Sequence, residues 1–284
     1  MRFLILGCNG MAGHMISLYL KEKGHDVFGF DLKKSTLVDS VAGNAKDIAF
    51  MKELIGVNKF DTIINCIGLL NQTCEDHKAA AVYLNSFFPH HLVQLTENTN
   101  TQIIHMSTDC VFSGNRGQYT EEDFRDGTSF YDRTKALGEI ENDKDLTLRQ
   151  SIVGPDINQN GIGLMNWFMQ QQGEVTGYTG ALWTGQTTLQ LAKTMETAAK
   201  ERMNGLYNMV PDSSISKCDL LRLFNKYLRK EKVVIIPVDN MTADKSLKRT
   251  RWGFDYRIPD YEIMIVELAA WMRSHRNLYP HYEL

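Results

Sequence analysis

Short apolar runs alternate with amphipathic stretches through the first half of the chain, and this alternation restricts the fold more than any other feature. Four runs have the length and the β-branched or aromatic content of buried strands: residues 2–6, 26–30, 62–67 and 102–107. Apolar residues at helical spacing predict three helices between them: residues 11–23, 48–55 and 79–98. Strands that alternate with helices form βαβ units, so the sequence predicts an α/β fold with a doubly wound parallel sheet.

The pattern becomes less regular beyond Leu146. Residues 147–153 have the composition of one further strand, after which Gly, Asn and aromatic residues interrupt the alternation. Later segments predict three helices and two strands: residues 189–201, 217–230 and 260–273, and residues 204–208 and 233–238. We therefore expect residues 1–150 to form a Rossmann-type dinucleotide-binding domain. Residues 151–284 should form mainly a smaller C-terminal α/β lobe that binds substrate, with the alternative that they return a strand to the main sheet.

The charge balance limits the classes of partner. The 284 residues include 31 Lys and Arg and 34 Asp and Glu, a net charge of −3 with no basic block, so we expect no nucleic-acid partner. The apolar run at residues 1–6 is too short for a membrane span or for the apolar region of a signal peptide. The five cysteines show no CxxC pair and no zinc spacing, which is typical of free thiols in a reducing compartment. We therefore expect a cytoplasmic protein without a membrane partner.

The segment between the first predicted strand and the first predicted helix carries three glycines. Gly7, Gly10 and Gly13 have the spacing and the strand-to-helix position of a dinucleotide-binding turn. Gly7 would allow the tight turn, Gly10 the close approach of a diphosphate, and Gly13 the packing of helix on strand. Free N–H groups at the helix start attract phosphate. The residues expected to contact the cofactor here are Gly7, Asn9, Gly10, Met11, Ala12 and Gly13.

Two further segments are expected to contact the cofactor. Asp31 ends the second predicted strand 18 residues beyond Gly13, where a carboxylate binds the ribose hydroxyls of NADH. Lys33 and Lys34 favour NADPH instead, because an ammonium group pairs with a 2′-phosphate, so the choice between NADPH and NADH stays open. The second segment, Cys66-Ile67-Gly68, follows a later strand at the carboxyl edge of the sheet, where small side chains let the cofactor lie across the strands.

Polar residues after the 102–107 run and on a following helix indicate the chemistry. Thr108 follows the strand, Tyr131 lies 23 residues later, and Lys135 lies four residues beyond Tyr131 on the same face of a predicted helix. A free phenol has a pKa of about 10. An ammonium group about 4 Å away at an effective dielectric constant of about 20 contributes about 4 kcal/mol, enough to lower that pKa to about 7. Tyr131 can then protonate an oxygen that gains charge when hydride reaches a carbonyl carbon, while the Thr108 hydroxyl hydrogen-bonds to the same oxygen.

Seven segments together resemble one known family across nearly the whole chain: the glycine turn, Asn65-Cys66-Ile67-Gly68, residues 107–114, Tyr131 with Lys135, Leu148-Arg149-Gln150-Ser151, Asn204-Gly205-Leu206-Tyr207 and Asp244-Lys245-Ser246-Leu247. They resemble the dTDP-4-dehydrorhamnose reductase family, an extended group of short-chain dehydrogenases/reductases. The resemblance implies reduction of the 4-keto group of a nucleotide-linked 6-deoxy sugar by NADPH or NADH, for a surface polysaccharide. It implies a catalytic triad of Thr108, Tyr131 and Lys135. It also implies cofactor contacts from Ser107, Tyr131 and Lys135, with Lys135 holding the nicotinamide ribose.

Departures from the family pattern concern the substrate. Cys110 stands where the reductases usually have a Tyr after Ser-Thr-Asp, which removes a hydrogen bond to substrate. Residues 177–185 more nearly resemble a branch that acts on related sugars such as UDP-linked N-acetylated ones. The residues expected to contact substrate are Cys110, Val111, Phe112, Met165 and Trp183, the tryptophan by stacking on a base or sugar. Some relatives form a magnesium-bridged dimer, but Met15 is a poor ligand for that ion, so we expect no metal and leave a homodimer open.

Three alternatives use the same fold. A nucleotide-sugar 4-epimerase also needs Tyr131 and Lys135, but it turns over without added reduced cofactor. A dehydratase typically carries a Glu where this chain has Cys110, and a thiol is a poor substitute for that base. A non-catalytic NADP-binding regulatory subunit would not need the intact set of Thr108, Tyr131 and Lys135.

Several other polar residues are expected to have no role in the chemistry. His90, His91 and His105 lack a nearby set of metal ligands, so they are expected to be structural or exposed. Asp123 and Arg125 are expected to be solvated residues of the loop before Tyr131.

Overall fold

Fourteen strands are found in residues 1–253 and 255–284, which are the part of the chain that this computed structural model describes. In chain order they are β1 Arg2–Leu6, β2 Asp26–Asp31, β3 Asp39–Ala42, β4 Thr62–Asn65, β5 Gln102–Met106, β6 Leu146–Arg149, β7 Ser151–Val153, β8 Glu174–Tyr178, β9 Ala181–Trp183, β10 Gly185–Thr187, β11 Gly205–Asn208, β12 Ile215–Ser216, β13 Val234–Val238 and β14 Ala243–Asp244.

Ten α-helices lie in the same described residues. They are α1 Met11–Glu22, α2 Ile48–Asn58, α3 Asn71–Asp76, α4 Lys78–Ala81, α5 Phe88–Thr96, α6 Phe130–Leu137, α7 Leu164–Met169, α8 Thr188–Lys200, α9 Lys217–Leu228 and α10 Tyr261–Ser274. A π-helical turn, Val82–Phe87, joins α4 to α5, and short 3₁₀ turns lie at Asp109–Val111 and Arg276–Leu278. None of these described helices is both long enough and apolar enough to cross a membrane.

Seven strands, all parallel, form the main sheet in the order β3-β2-β1-β4-β5-β6-β11. The order runs outward in opposite directions from β1 and β4. The carboxyl ends of these two strands therefore border a crevice of the kind in which doubly wound sheets bind ligands. The prediction of a Rossmann-type doubly wound parallel sheet is confirmed.

Helices cover both faces of the main sheet. Alternate residues of β1 face opposite sides: Phe3 and Ile5 belong to a core with α1 and α8, and Leu4 and Leu6 to a core with α2 and α5. All four side chains are fully buried. A strand buried on both faces appears in the sequence as a continuous apolar run, which explains why β1 was predicted correctly.

The C-terminal part adds elements to the main sheet and its covering helices, and it also forms separate small sheets. Residues 188–208 supply α8, which packs on α1, and β11, which lies beside β6 at the edge of the main sheet. The remaining strands form three small sheets: β12-β9-β14, β13 with β8, and β10 with β7. Helix α9 packs on β8, and α10 packs on both α8 and α9.

Three of the local features that differ from the sequence prediction lie near the main sheet. Strand β3 was not predicted, because its four residues are short for a strand and none is fully buried. The strand predicted over residues 147–153 is divided at Gln150 into β6, in the main sheet, and β7, which pairs with β10. The helix predicted over residues 79–98 contains the π-helical turn.

Candidate active site

A cavity of about 440 Å³ lies at the carboxyl ends of β1, β4 and β5. Its volume is within the range of about 300–1,000 Å³ that is typical of small-molecule and cofactor sites. Its wall comes from residues 10–13, 65–68, 70–71, 106–110, 150–152 and 162–163, with Tyr131, Lys135 and Asp156. Segments distant in the chain therefore meet at the crevice that the strand order predicts.

The turn after β1 has the geometry of a phosphate-binding turn. Gly7 adopts a φ of +80°, and its amide donates to the Phe30 carbonyl at 2.8 Å. A Cβ on Gly13 would lie 2.0 Å from the Gly7 carbonyl oxygen, so only glycine lets α1 pack against the turn. Helix α1 starts after Gly10, which has no side chain to cap the first N–H groups. These groups are therefore left for an anion, and residues 10–13 line the cavity.

Asn9 and Asp31 connect the glycine turn to the end of β2. The Asp31 carboxylate accepts from the Asn9 amide at 2.9 Å and from the Leu32 amide at 2.7 Å. The Asn9 side chain donates to the Lys33 carbonyl at 2.9 Å. Asp31 thus stabilises the turn by accepting hydrogen bonds from two backbone amides. Sequence analysis predicted only a ribose contact for this residue.

Asn85 supports the loop after β4, which carries Cys66, Ile67 and Gly68. Its Oδ1 accepts from the Leu69 amide at 2.8 Å, and its Nδ2 donates to the Leu69 carbonyl at 3.0 Å. Asn85 lies in the π-helical turn, a feature that is frequent at functional sites. The sequence provided no signal for this contact, because the helical spacing around Asn85 is unremarkable.

The end of β5 turns sharply into the cavity wall. The Ser107 hydroxyl donates to Glu139 Oε1 at 2.7 Å. Thr108 is extended and begins the 3₁₀ turn, with its Oγ1 accepting from the Cys110 amide at 3.1 Å and donating to Asp109 Oδ1 at 3.1 Å. Burial raises the pKa of the Asp109 carboxyl. This turn presents Ser107, Thr108 and Cys110 at the cavity wall.

Helix α6 brings Tyr131 and Lys135 to the same cavity. It starts with a capping box in which the Ser129 hydroxyl accepts from the Asp132 amide at 3.0 Å and the Asp132 carboxylate accepts from the Ser129 amide at 3.1 Å. Tyr131 is 9% exposed and Lys135 is 6% exposed. Lys135 Nζ donates to the Met106 carbonyl at 2.7 Å and lies 3.4 Å from His105 Nε2.

The electrostatics of Tyr131 differ from the sequence prediction. Burial raises the pKa of its phenol, the neighbouring Cys110 thiol raises it further, and a hydrogen bond with Thr108 opposes this rise. Burial also lowers the pKa of Lys135 to about 8, against the opposing charge of Glu139. The predicted lowering of the phenol pKa by Lys135 is therefore wrong for this geometry, because the lysine nitrogen is directed to β5.

Glu139 and Arg149 form a buried ion pair beneath the carboxyl end of β5, which sequence analysis missed. Arg149 is fully buried and donates to Glu139 from Nε at 2.7 Å and from Nη2 at 2.8 Å. Arg125, which was expected to be solvated, is 34% exposed and also pairs with Glu139, a contact that sequence analysis missed. The available signal was a charged residue, Arg149, in an otherwise apolar strand, since a buried charge needs a partner.

Four of the five predicted substrate residues lie in the interior and not on the cavity wall. Cys110 lines the cavity. Val111 and Phe112 are fully buried, because the 3₁₀ turn directs them inward. Met165 is also fully buried, and Trp183 packs against Tyr261 with ring centroids 5.7 Å apart. Within residues 1–253 and 255–284, no group of three or more His, Cys, Asp or Glu side chains is placed to hold a metal ion.

Comparisons with known sequences identify the relatives of this chain. Residues 1–253 match the family model described as RmlD substrate binding domain. The chain is 27% identical over 230 residues to the probable low-salt glycan biosynthesis reductase Agl14 of Haloferax volcanii, covering 76% of each chain. It is 26% identical over 144 residues to dTDP-4-dehydrorhamnose reductase of Mycobacterium tuberculosis, covering 49% of this chain and 44% of that one.

Solved structures share the fold over nearly the full chain. The dTDP-4-dehydrorhamnose reductase from Bacillus anthracis, in complex with NADP, matches with a TM-score of 0.80 and 19% identity, covering 95% of this chain and 99% of that one. UDP-N-acetylglucosamine 4-epimerase from Methanobrevibacter ruminantium matches with a TM-score of 0.76 and 16% identity, covering 96% and 98%. At these identities the two structures indicate the fold alone. The match of the family model to residues 1–253 goes further, and the chain therefore belongs to the dTDP-4-dehydrorhamnose reductase family.

Proposed function

We propose that this protein is an NADPH- or NADH-dependent reductase that reduces the 4-keto group of a nucleotide-linked 6-deoxy sugar. One observation carries the proposal: a single cavity joins the glycine turn of α1 to Thr108, Tyr131 and Lys135. A dinucleotide-binding turn and a buried proton donor on one wall are the parts that a carbonyl reduction needs. Its relatives, which include a probable glycan biosynthesis reductase and dTDP-4-dehydrorhamnose reductases, support the same class of substrate.

The chain's own residues fit a nicotinamide dinucleotide. The uncapped N–H groups at the start of α1 suit the diphosphate, and the missing Cβ of Gly10 leaves the backbone open to it. The reduced nicotinamide would supply a hydride to the carbonyl carbon. Lys135 would hold the nicotinamide ribose, as the family resemblance implies. Asp31 and the exposed Lys33 and Lys34 keep both NADH and NADPH as candidates.

Tyr131 would supply the proton in this reaction. Because the pKa of its buried phenol is raised, the hydroxyl stays protonated at neutral pH and can donate to the oxygen that becomes negative. A donor that starts protonated suits reduction of a ketone. The Thr108 hydroxyl would hydrogen-bond to the same oxygen, which spreads the developing charge over two donors.

The identity of the sugar rests on the part of the wall near Cys110. A cysteine there offers only a weak hydrogen-bond donor and an apolar surface. We propose either a dTDP-4-dehydrorhamnose-like sugar or a UDP-linked N-acetylated analogue, used for a surface polysaccharide. All five cysteines are free thiols, which supports the reducing cytoplasm as the compartment. A homodimer is the assembly that we propose to test first.

The test is oxidation of NADPH and of NADH in the presence of dTDP- and UDP-linked 4-keto-6-deoxy sugars, generated in place by a dehydratase. We expect oxidation with at least one sugar, and product analysis should find the corresponding 4-hydroxy sugar. The Tyr131→Phe variant is the matched control for background oxidation. Conversion without added reduced cofactor would instead identify a 4-epimerase. Tight dinucleotide binding with no turnover on any sugar, and copurification of a partner enzyme, would favour a regulatory subunit.

A further inference from the structure

His105 lies between the β4 strand end and the lysine of the proposed triad, although sequence analysis expected no role for it in the chemistry. It is fully buried on β5, opposite Asn65 in the register of the parallel strands. Its Nδ1 lies 3.2 Å from Asn65 Nδ2, and its Nε2 lies 3.4 Å from Lys135 Nζ. One imidazole therefore connects two elements of the cavity wall.

The hydrogen bonds of Asn65 determine which nitrogen of His105 carries the proton. The Ile67 backbone amide is an obligatory donor, and it donates to Asn65 Oδ1 at 3.1 Å. The amide group facing His105 is consequently Nδ2, which can only donate. His105 Nδ1 must accept this bond and cannot carry a proton. A neutral imidazole has one N–H group, so the proton is on Nε2, the nitrogen that faces Lys135.

The Nε2–H group of His105 is a poor neighbour for an ammonium ion. An ammonium group has three donors and no acceptor, so it would face His105 donor against donor. A neutral amine can accept from Nε2–H with its lone pair while it still donates to the Met106 carbonyl, which lies 2.7 Å from Nζ. The arrangement around Lys135 therefore matches the amine form better than the charged form.

The other ionisable groups that act on Lys135 do not offer an unpaired negative charge to its ammonium form. Glu139 favours the charged lysine, but its carboxylate already accepts from Arg149, Arg125 and Ser107. The thiols of Cys66 and Cys74 are the other groups that act on the charge of Lys135. Burial raises the pKa of both thiols, so they are neutral.

Burial keeps the His105 imidazole in its neutral form. It is the largest cause that holds the pKa of His105 well below its usual value, and it acts whichever form Lys135 takes. The imidazole is therefore a donor toward Lys135 throughout the neutral pH range.

We propose that His105 is a positioning residue whose tautomer is set by Asn65. By donating from Nε2–H, His105 stabilises the neutral amine form of Lys135, so that the lysine gains and loses its proton near neutral pH. The inference rests on the proposed function only where it concerns catalysis. The tautomer and the lysine charge are properties of the protein alone, and they can be measured without substrate or dinucleotide.

The first experiment measures both properties by NMR in the wild-type protein without added nucleotide. Nitrogen-15 shifts of the His105 ring should show an unprotonated Nδ1 and a protonated Nε2. Carbon-13 shifts at the Lys135 ε position should titrate near a pH of about 8, well below the usual lysine value of about 10.4. A proton on Nδ1, or a lysine that titrates at its usual value, would overturn the proposal.

The second experiment changes the group that faces Lys135. His105→Gln offers a rotatable amide whose oxygen can accept from an ammonium, so the titration midpoint of Lys135 should rise by about one pH unit or more, a tenfold change in proton affinity. His25→Gln, the same substitution at a histidine that binds Glu196, should leave the midpoint unchanged. An unchanged midpoint in folded His105→Gln would contradict the proposal. If that variant does not fold, the His105 tautomer measured by NMR in the wild type still decides whether the proposal holds.

A kinetic measurement separates this role from a merely structural one. In active enzyme, the pH profile of kcat for His105→Gln should shift to higher pH, as the Lys135 midpoint does. A loss of folded protein would instead lower kcat equally at every pH. A profile that keeps its wild-type position would count against the positioning role. Failure of the proposed function would appear as no turnover on any keto-sugar, with the tautomer and the lysine titration still as expected.

Discussion

The glycine turn after β1 and the end of β5 form two sides of one cavity, but different interactions hold them. The turn is formed by backbone groups and by the absence of side chains, with Gly13 packed against the Gly7 carbonyl. The β5 end is held by buried side chains from other elements, among them Glu139, Arg149 and Lys135. The first side should be sensitive to added atoms, and the second to the removal of a charge or a proton donor.

The largest expected effect is a loss of stability in Arg149→Met, which leaves the buried Glu139 carboxylate without its bidentate partner. Removing one member of a buried ion pair costs about 3–5 kcal/mol. The free energy of unfolding in urea should fall by about that amount, and the double variant Arg149→Met/Glu139→Met should recover part of it. Lys226→Met, in an exposed pair with Glu262, should change stability by less than about 1 kcal/mol. Equal losses in the two single variants would contradict the comparison.

The next effect is on turnover and comes from Tyr131→Phe. Removing the phenol hydroxyl takes away the proposed proton donor, so kcat should fall by about 10² or more, in line with general-acid catalysis. Dinucleotide affinity, measured by fluorescence or calorimetry, should stay close to that of the wild type. Tyr83→Phe removes a hydroxyl that contacts the Ala45 carbonyl outside the cavity, and it should retain full activity. Full activity in Tyr131→Phe would rule out its assignment as the donor.

A smaller effect tests the glycine turn. Gly13→Ala places a Cβ against the Gly7 carbonyl and should cost about 1–3 kcal/mol of stability, as overpacking typically does, and it should weaken dinucleotide binding. Gly56→Ala in α2 is the matched control, because nothing lies within 4 Å of its added Cβ. That variant should gain about 0.5–1 kcal/mol from its higher helix propensity. Unchanged stability and binding in Gly13→Ala would show that the turn tolerates added atoms.

The smallest effect is the pH dependence of the Glu139 contribution. Burial raises the pKa of this carboxyl, but the hydrogen bonds and charges of Arg149 and Arg125 outweigh it, so the pKa lies below its usual value. A carboxyl whose pKa is depressed on folding stabilises the protein above its unfolded pKa, about 4.3, and loses that contribution as the pH falls through the folded value.

The comparison of wild type with Glu139→Gln isolates this contribution. The gap in unfolding free energy should be constant above a pH of about 5 and should narrow as the pH falls further. Glu53→Gln, at an exposed carboxylate of α2, serves as the control for general effects of low pH. A gap that stays constant through the acid range would mean that the Glu139 pKa is not depressed in the folded protein.

The sequence predicted well those features that depend on neighbouring residues. The order of β1, β2, β4 and β5 followed from apolar runs, and the turn at Gly7 to Gly13 from glycine spacing. Tyr131 and Lys135 were predicted to share a helix face because they are four residues apart, and both line the cavity. These features are local, since φ/ψ preferences and side-chain periodicity act over a few residues.

Side-chain contacts between distant segments were predicted poorly. Trp183 was expected at the cavity but packs on Tyr261, which lies far from it in the chain. The division of residues 147–153 at Gln150 also depends on partners elsewhere in the molecule, whereas the return of a strand to the main sheet, seen as β11, had been expected as an alternative. Such choices follow from which surfaces can be buried together, and a single sequence does not show those surfaces.

By itself, therefore, the sequence determined the order of elements, the glycine turn and the residues that can carry the chemistry. Only the tertiary structure decided which of those side chains are charged and which are neutral. It buried Tyr131, directed Lys135 toward Met106 and His105, and paired Glu139 with Arg149. The reason is physical: burial and the neighbouring donors and charges determine the pKa of a group, and those neighbours come from strands and helices that meet only in the folded protein.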